Sequence, residues 1–416
     1  MRTSQLDRRS FLKKAALDSV GAIGLTGLIP SETLAAINSI ESMKITKIEA
    51  VQVRKYNWTW VRIYTDKGIV GVGETYPLLN SQTGALKDLS GMLIGRNPRD
   101  IERIWRDMFA RVAFYVTGGA EMRIISAVNI ALWDILGKAL GLPVYRLLGG
   151  KAQNSLRVYD TYHGINNMDL HKDIEKITRY LLDQGITAIK LFHYNSLKGR
   201  NNGSYISPAD LEEHLDLIKR IRKEAGYEMD IGMEFNGGWN LTCALRIAES
   251  LEPYNIMFIE DIMFPDNMQS YSVLAGETSI PVCISERLTT RYQFREMLES
   301  KSCDIAMWDV TWCGGISEAK KISDMADTYY IPIIPHTNGG PVLWLSSIHT
   351  ATALTNFFIM ESSHPNYTKK YPEFVKDFPV PENGSVAAPD KPGLGIEFRT
   401  EPFENGDAVV ETIAEI

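Results

Sequence analysis

The sequence has little cysteine. Its four residues, Cys243, Cys283, Cys303 and Cys313, all lie in the second half and form no C-x-x-C pair, so they read as small buried apolar residues. Basic charge is short as well: 44 Lys and Arg stand against 51 Asp and Glu, for a net charge of −7 and a pI near 5.6. No dense Lys/Arg stripe follows residue 20, and such a chain repels a phosphate backbone, which argues against nucleic acid as a partner. Long apolar runs are also missing. The most apolar stretch near the start, residues 15–29, is too short to span a bilayer and is broken by Asp18, Gly21, Gly24 and Gly27. Hydrophobic residues at 44% and charged ones at 23% are ordinary for a soluble globular protein, so neither disorder nor a membrane bundle is favoured. A length of 416 residues allows one large barrel or two to three smaller domains.

The start of the chain has its own logic. Arg8-Arg9-Ser10-Phe11-Leu12-Lys13 precedes the apolar stretch, which ends at the small residues Leu34-Ala35-Ala36. This resembles a twin-arginine export signal over residues 1–36, and it predicts a periplasmic or otherwise exported protein with no membrane insertion after export. No cysteine follows the apolar run, so no lipid anchor is suggested.

Residues 43–76 alternate apolar and polar and read as strands of a small antiparallel sheet. From residue 84 to 148 the spacing turns helical, as in Ile101, Ile104, Trp105 and Met108, and again in Ile124, Ile125, Val128, Ala131, Leu132 and Ile135. Residues 43–150 are therefore expected to form an α+β domain. After Gly150, short β-rich runs alternate with amphipathic helices, and the runs end at Asp160, Lys190, Glu234, Glu260, Glu286, Asp309, His336 and Glu361. From Glu234 onward they recur roughly every 25 residues, the length of one strand, one helix and two loops. Repeated βα units of this size predict a closed parallel (β/α) barrel over residues 151–375. Residues 376–416 are left as a C-terminal segment expected to pack back on the first domain. The long step before Glu234 contains residues 195–207, polar and glycine-bearing, which read as a loop inserted over the barrel mouth.

In a (β/α) barrel the C-terminal strand ends form the active face. Glu234, Glu260 and Glu286 close three consecutive strands, so their carboxylates are expected to converge and to repel one another unless a cation sits among them. An all-oxygen donor set with no histidine or cysteine selects Mg²⁺. The plain alternative is an ion pair to a neighbour such as Arg287. Asp309 and His336 end adjacent strands, where a carboxylate on one imidazole nitrogen orients the ring and leaves the other to take a proton. Lys190 is expected to hold a substrate carboxylate or an enolate, and Glu361 to bind the same group or pass a proton.

With these residues in place the chain resembles the enolase superfamily, of the mandelate racemase and muconate lactonizing type. Gly71-Val72-Gly73-Glu74, Gly95-Arg96-Asn97-Pro98, Ala131-Leu132-Trp133-Asp134 and Leu147-Leu148-Gly149-Gly150 are similar to segments of its N-terminal capping domain. Phe258-Ile259-Glu260-Asp261, Ser285-Glu286-Arg287-Leu288 and Pro335-His336-Thr337-Asn338-Gly339-Gly340-Pro341 resemble strand-end motifs of the galactonate- and mannonate-type sugar-acid dehydratases. The resemblance implies a modified TIM barrel with a capping domain, Mg²⁺ on Glu234, Glu260 and Glu286, and His336 with Asp309 as the base. It also implies a magnesium-stabilised ene-diolate, a small sugar acid as substrate, and a homo-oligomer.

Three positions depart from that pattern. Glu234 stands where the first ligand is usually aspartate, and Phe192 stands where racemases carry a second lysine. Asn236 occupies the place of the dehydratase histidine that protonates the departing hydroxyl, so another acid is needed, with His193, Tyr194 and His163 as candidates. His193 and Asn236 are accordingly expected at the substrate. The expected reaction is removal of an α proton followed by loss of water to a 2-keto-3-deoxy acid. The alternative is epimerisation or cycloisomerisation of an anhydro sugar acid through the same intermediate. Residues 56–60, 114–119 and 195–207 are the expected specificity loops.

Overall fold

Alternating apolar residues in Ile45–Val53, Trp58–Thr65 and Val70–Thr75 give one face to bury, and these segments form strands β1, β2 and β3 of an antiparallel sheet. The computed structural model describes residues 43–114, 118–198 and 201–416. The export-signal reading of residues 1–36 lies outside the described residues, as do 115–117 and 199–200 of two expected loops. Helices α1 (Asn80–Ser90) and α3 (Gly119–Leu140) pack on the sheet, and α2 (Ile101–Ala113) packs on α3. Helix α3 buries Ile124, Ile125, Val128, Ala131, Leu132 and Ile135. It ends at Gly141, whose φ of 68° is the left-handed conformation glycine adopts without steric cost. It lies so close to β3 that a Cβ on Gly73 would stand 1.7 Å from the carbonyl oxygen of Ala127. The sheet's fourth strand is the last of the chain, Val409–Glu415, paired antiparallel with β1.

The remainder is a modified (β/α) barrel, the fold class expected from the repeating units. Eight parallel strands run in order: β4 (Leu156–Thr161), β5 (Ala188–Leu191), β6 (Asp230–Glu234), β7 (Phe258–Glu260), β8 (Val282–Ile284), β9 (Ile305–Trp308), β10 (Ile333–Pro335) and β11 (Met360–Ser362). β11 pairs with β4, and between β10 and β11 the ladder narrows to one parallel bridge, Ile333 with Phe357. The inserted segment carries a single helical turn, Asn195–Lys198, and feeds helix Pro208–Ala225 through a capping box between Ser207 and Asp210.

The two-residue period of the strands sorts their side chains. Ile189, Ile231, Met233, Ile259 and Ile284 belong to the large core, whereas Tyr159, Ala188, Phe258, Met307, Ile334 and Ile359 form a separate small cluster. These are the lumen-facing positions. Two residues further along the same face come Thr161, Lys190, Glu260, Asp309, His336 and Glu361, so an apolar plug underlies the polar mouth. Gly232 leaves room for that plug: a Cβ there would lie 2.6 Å from the Phe258 ring. The four cysteines are free and buried. Among the described residues no helix is long and apolar enough to cross a membrane.

Candidate active site

Burial and charge meet where the strands end. Glu234, Glu260 and Glu286 each offer a carboxylate oxygen, and these oxygens lie within 4.8 Å of one another. Burial pushes Glu260 well above the usual carboxylate range, and the negative charges of Glu234 and Glu286 add to the rise, against the pull of Lys190. Glu286 Oε2 is buried with no hydrogen-bond partner. A buried, partnerless carboxylate oxygen beside two other carboxylates suits a hard divalent cation. Arg287 does not close the set: its Nε lies 3.9 Å from Glu286 but 3.3 Å from Asp261, a carboxylate that also accepts from Ser285 Oγ at 2.7 Å. The spacing of strand ends assigns no role to Asp261, although it directly follows a ligand at a strand end.

Lys190 lies deeper than a free substrate clamp would. Its ammonium is 3.0 and 2.9 Å from the two oxygens of Glu260, 3.0 Å from Glu361 and 3.7 Å from Glu234. Burial opposes its charge, but Glu260 and Glu361 outweigh that and hold its pKa well above the ordinary lysine value. Glu361 in turn accepts from Thr161 Oγ1 and from the Thr337 N–H at 2.7 Å. Despite burial, Lys190 and His336 hold its pKa down at about 2.

Opposed to burial, the charge of Glu361 and the hydrogen bond that the ring donates to Asp309 push His336 up to about 9. Asp309 Oδ2 holds His336 Nδ1 at 2.8 Å, while Asp309 Oδ1 accepts from the N–H and hydroxyl of Thr311 at 2.7 and 2.6 Å. The other ring nitrogen, Nε2, lies 3.6 Å from Glu361. A cavity of about 130 Å³ brings together Lys190, Glu234, Glu286, His336 and Glu361, and adds Thr161, His163 and Asn338. Glu260 does not line the cavity and accepts from Lys190. Asn236 also lines the cavity; its N–H bonds Glu234 Oε1 and its side-chain oxygen accepts from Asn195.

His193 is not at this site. Its Nε2 faces the carbonyl of His214 at 2.8 Å and its ring stacks on His214, because the chain has already turned outward three residues past Lys190. Tyr194 is buried beside it against Phe235. Nor do residues 56–60 reach the cavity: Trp58 and Trp60 pack against Phe374, and Tyr56 bonds Glu373.

Residues 36–149 match the family model for the mandelate racemase/muconate lactonizing enzyme N-terminal domain, and residues 172–402 match the enolase C-terminal domain-like model. The chain belongs to the enolase superfamily. A D-galactonate dehydratase of Pectobacterium atrosepticum is 32% identical over 369 residues, 86% of this chain and 93% of its own. A D-xylonate dehydratase of Haloferax volcanii is 27% identical over 392 residues, 90% and 92% of the two chains. The crystal structure of a mandelate racemase subgroup enolase from Agrobacterium tumefaciens superposes with a TM-score of 0.83 at 34% identity, covering 90% of this chain and all 100% of that one. In this superfamily context Glu234, Glu260 and Glu286 form the Mg²⁺ site.

Proposed function

We propose that this enolase-superfamily protein is a Mg²⁺-dependent sugar-acid dehydratase: it takes the α proton of a sugar acid and eliminates the β hydroxyl as water, giving a 2-keto-3-deoxy acid. The observation that carries this reading is the Asp309–His336 pair, joined at 2.8 Å and opening on the same cavity as Glu234 and Glu286. A proton beside a carboxylate is very weakly acidic, because its loss creates a dianion. When bound at the three glutamates, Mg²⁺ supplies the positive charge that brings this dianion within reach. His336 Nε2 takes the proton while Asp309 fixes the ring and steadies the imidazolium. Lys190 places a permanent buried cation against the cavity wall. The dehydratase names of the relatives support an aldonic acid as substrate.

One observation favours the second reading, epimerisation or cycloisomerisation through the same intermediate. Asn236 holds an amide, which carries no transferable proton at neutral pH, in the cavity beside Glu234. Incubation with Mg²⁺ and a panel of aldonic acids in D₂O separates the two. The keto-deoxy product is expected, lost on exhaustive chelation. Deuterium at the α carbon with no product supports epimerisation, and turnover that survives chelation sinks both.

A further inference from the structure

Loss of a β hydroxyl as hydroxide is prohibitively slow, so dehydration needs a proton donor at the leaving oxygen as well as a base at the α carbon. The titratable groups lining the cavity, among the described residues, are His163, Lys190, Glu234, Glu286, His336 and Glu361. Two of the carboxylates are metal ligands, and Glu361, held down at about 2, carries no proton. Lys190 is enclosed by Glu260 and Glu361. His336 acts as the base, and with a pKa pushed up to about 9 it keeps what it takes. His163 is left.

Its placement suits that task. His163 follows β4, and its Nδ1 lies 3.2 Å from Ser363 Oγ, just beyond β11. Phe192 packs on the ring with centroids 5.3 Å apart. Two neighbours therefore fix the imidazole, while Nε2 has no protein partner among the described residues. The Ser363 hydroxyl can donate to Nδ1 or accept from it, so it serves the neutral and the charged ring alike.

Resting on the dehydratase reading, we propose that His163 is a catalytic residue, the acid that protonates the departing β hydroxyl. The Cβ–O bond breaks with its electron pair on oxygen, the Nε2 proton of His163 joins that oxygen, and water leaves. The electron pair of the ene-diolate forms the Cα=Cβ bond, and the enol product tautomerises to the 2-keto acid. Solvent reprotonates His163 and removes the proton from His336. Burial holds the free imidazole down at about 4; Glu361 favours its charged form, while Lys190, Lys370 and His336 oppose it. An anionic substrate close to the ring favours its charged form, while Mg²⁺ at the glutamates opposes it.

The test compares wild type with His163→Gln, both with Mg²⁺, on C5 and C6 aldonic acids in D₂O. It then repeats the comparison on the 3-deoxy-3-fluoro analogue of whichever acid the wild type dehydrates. Fluoride needs no proton to leave. The expected result is a loss of water elimination of about 100-fold or more in the variant, with α-proton exchange and fluoride release within a few-fold of wild type. Unchanged water elimination overturns the assignment and leaves His336 to return the proton. An equal fall in fluoride release also overturns it, since His163 would then only shape the cavity. If the wild type itself neither exchanges nor dehydrates any acid, the dehydratase reading fails and this role fails with it.

Discussion

In the proposed reaction, the 2.8 Å hydrogen bond from His336 Nδ1 to Asp309 leaves Nε2 as the nitrogen that takes the proton. Replacing Asp309 by Asn keeps the shape and removes the charge, so the ring is less basic and its tautomer is no longer imposed. We predict a fall of about 10²- to 10⁴-fold in α-proton exchange for Asp309→Asn, with Mg²⁺ binding retained. In NMR titrations of the metal-free protein, His336 is expected near 9 in wild type and clearly lower in the variant. Since only the neutral ring accepts a proton, exchange should rise with pH as His336 loses its charge. An unmoved titration in the variant would remove Asp309 as the orienter. At this scale much of the site is legible in the sequence, because a two-residue period places Lys190, Glu260, Asp309, His336 and Glu361 on the lumen face of strands whose ends are easily found. That period stops with the strand. It carries no information on where His193 or His163 point, and the loop turns the first outward beneath His214 and leaves the second at the cavity.

Elements pack here through backbone contact as much as through side chains. Strand β3 and helix α3 approach until the Gly73 position touches the Ala127 carbonyl, a backbone atom that cannot swing aside. Gly73→Ala is therefore expected to destabilise by about 1–3 kcal/mol, read as a lower urea midpoint with an unchanged slope. A midpoint equal to wild type would show that the pair can separate without cost. The spacing of barrel strands and the apolar face of α3 are visible in the sequence because burial imposes a period. The need for glycine at Gly73 is not, because it depends on a helix more than fifty residues away.

Across the whole molecule, cap and barrel are joined at Glu74. This fully buried carboxylate at the end of β3 accepts the Gly340 N–H at 2.5 Å, the Val342 N–H at 3.1 Å and Trp60 Nε1 at 3.0 Å. Gly340 and Val342 begin helix Pro341–Thr352, directly after the loop that carries His336. Burial pushes Glu74 up to about 8 in spite of these donors. The folded chain thus binds a proton that the unfolded chain has released between the ordinary carboxylate value and about 8, so this group's contribution to stability falls as pH rises through that window. Against Glu74→Gln, wild type should lose at most about 1.4 kcal/mol per pH unit there. Parallel stability curves for the two proteins would contradict the shift. No periodicity in the sequence signals Glu74 as a joint, since the two donors it takes from the barrel, the Gly340 and Val342 N–H groups, are main-chain groups.

The pairing of β1 with Val409–Glu415 bears on how the protein is made. Translation delivers β1 before any barrel strand and its neighbour after every barrel strand has emerged. Until then one border of the cap sheet has open N–H and C=O groups, ready to pair with any passing strand. Maturation of the cap thus waits for synthesis of the whole barrel, however early its helices collapse onto the other face.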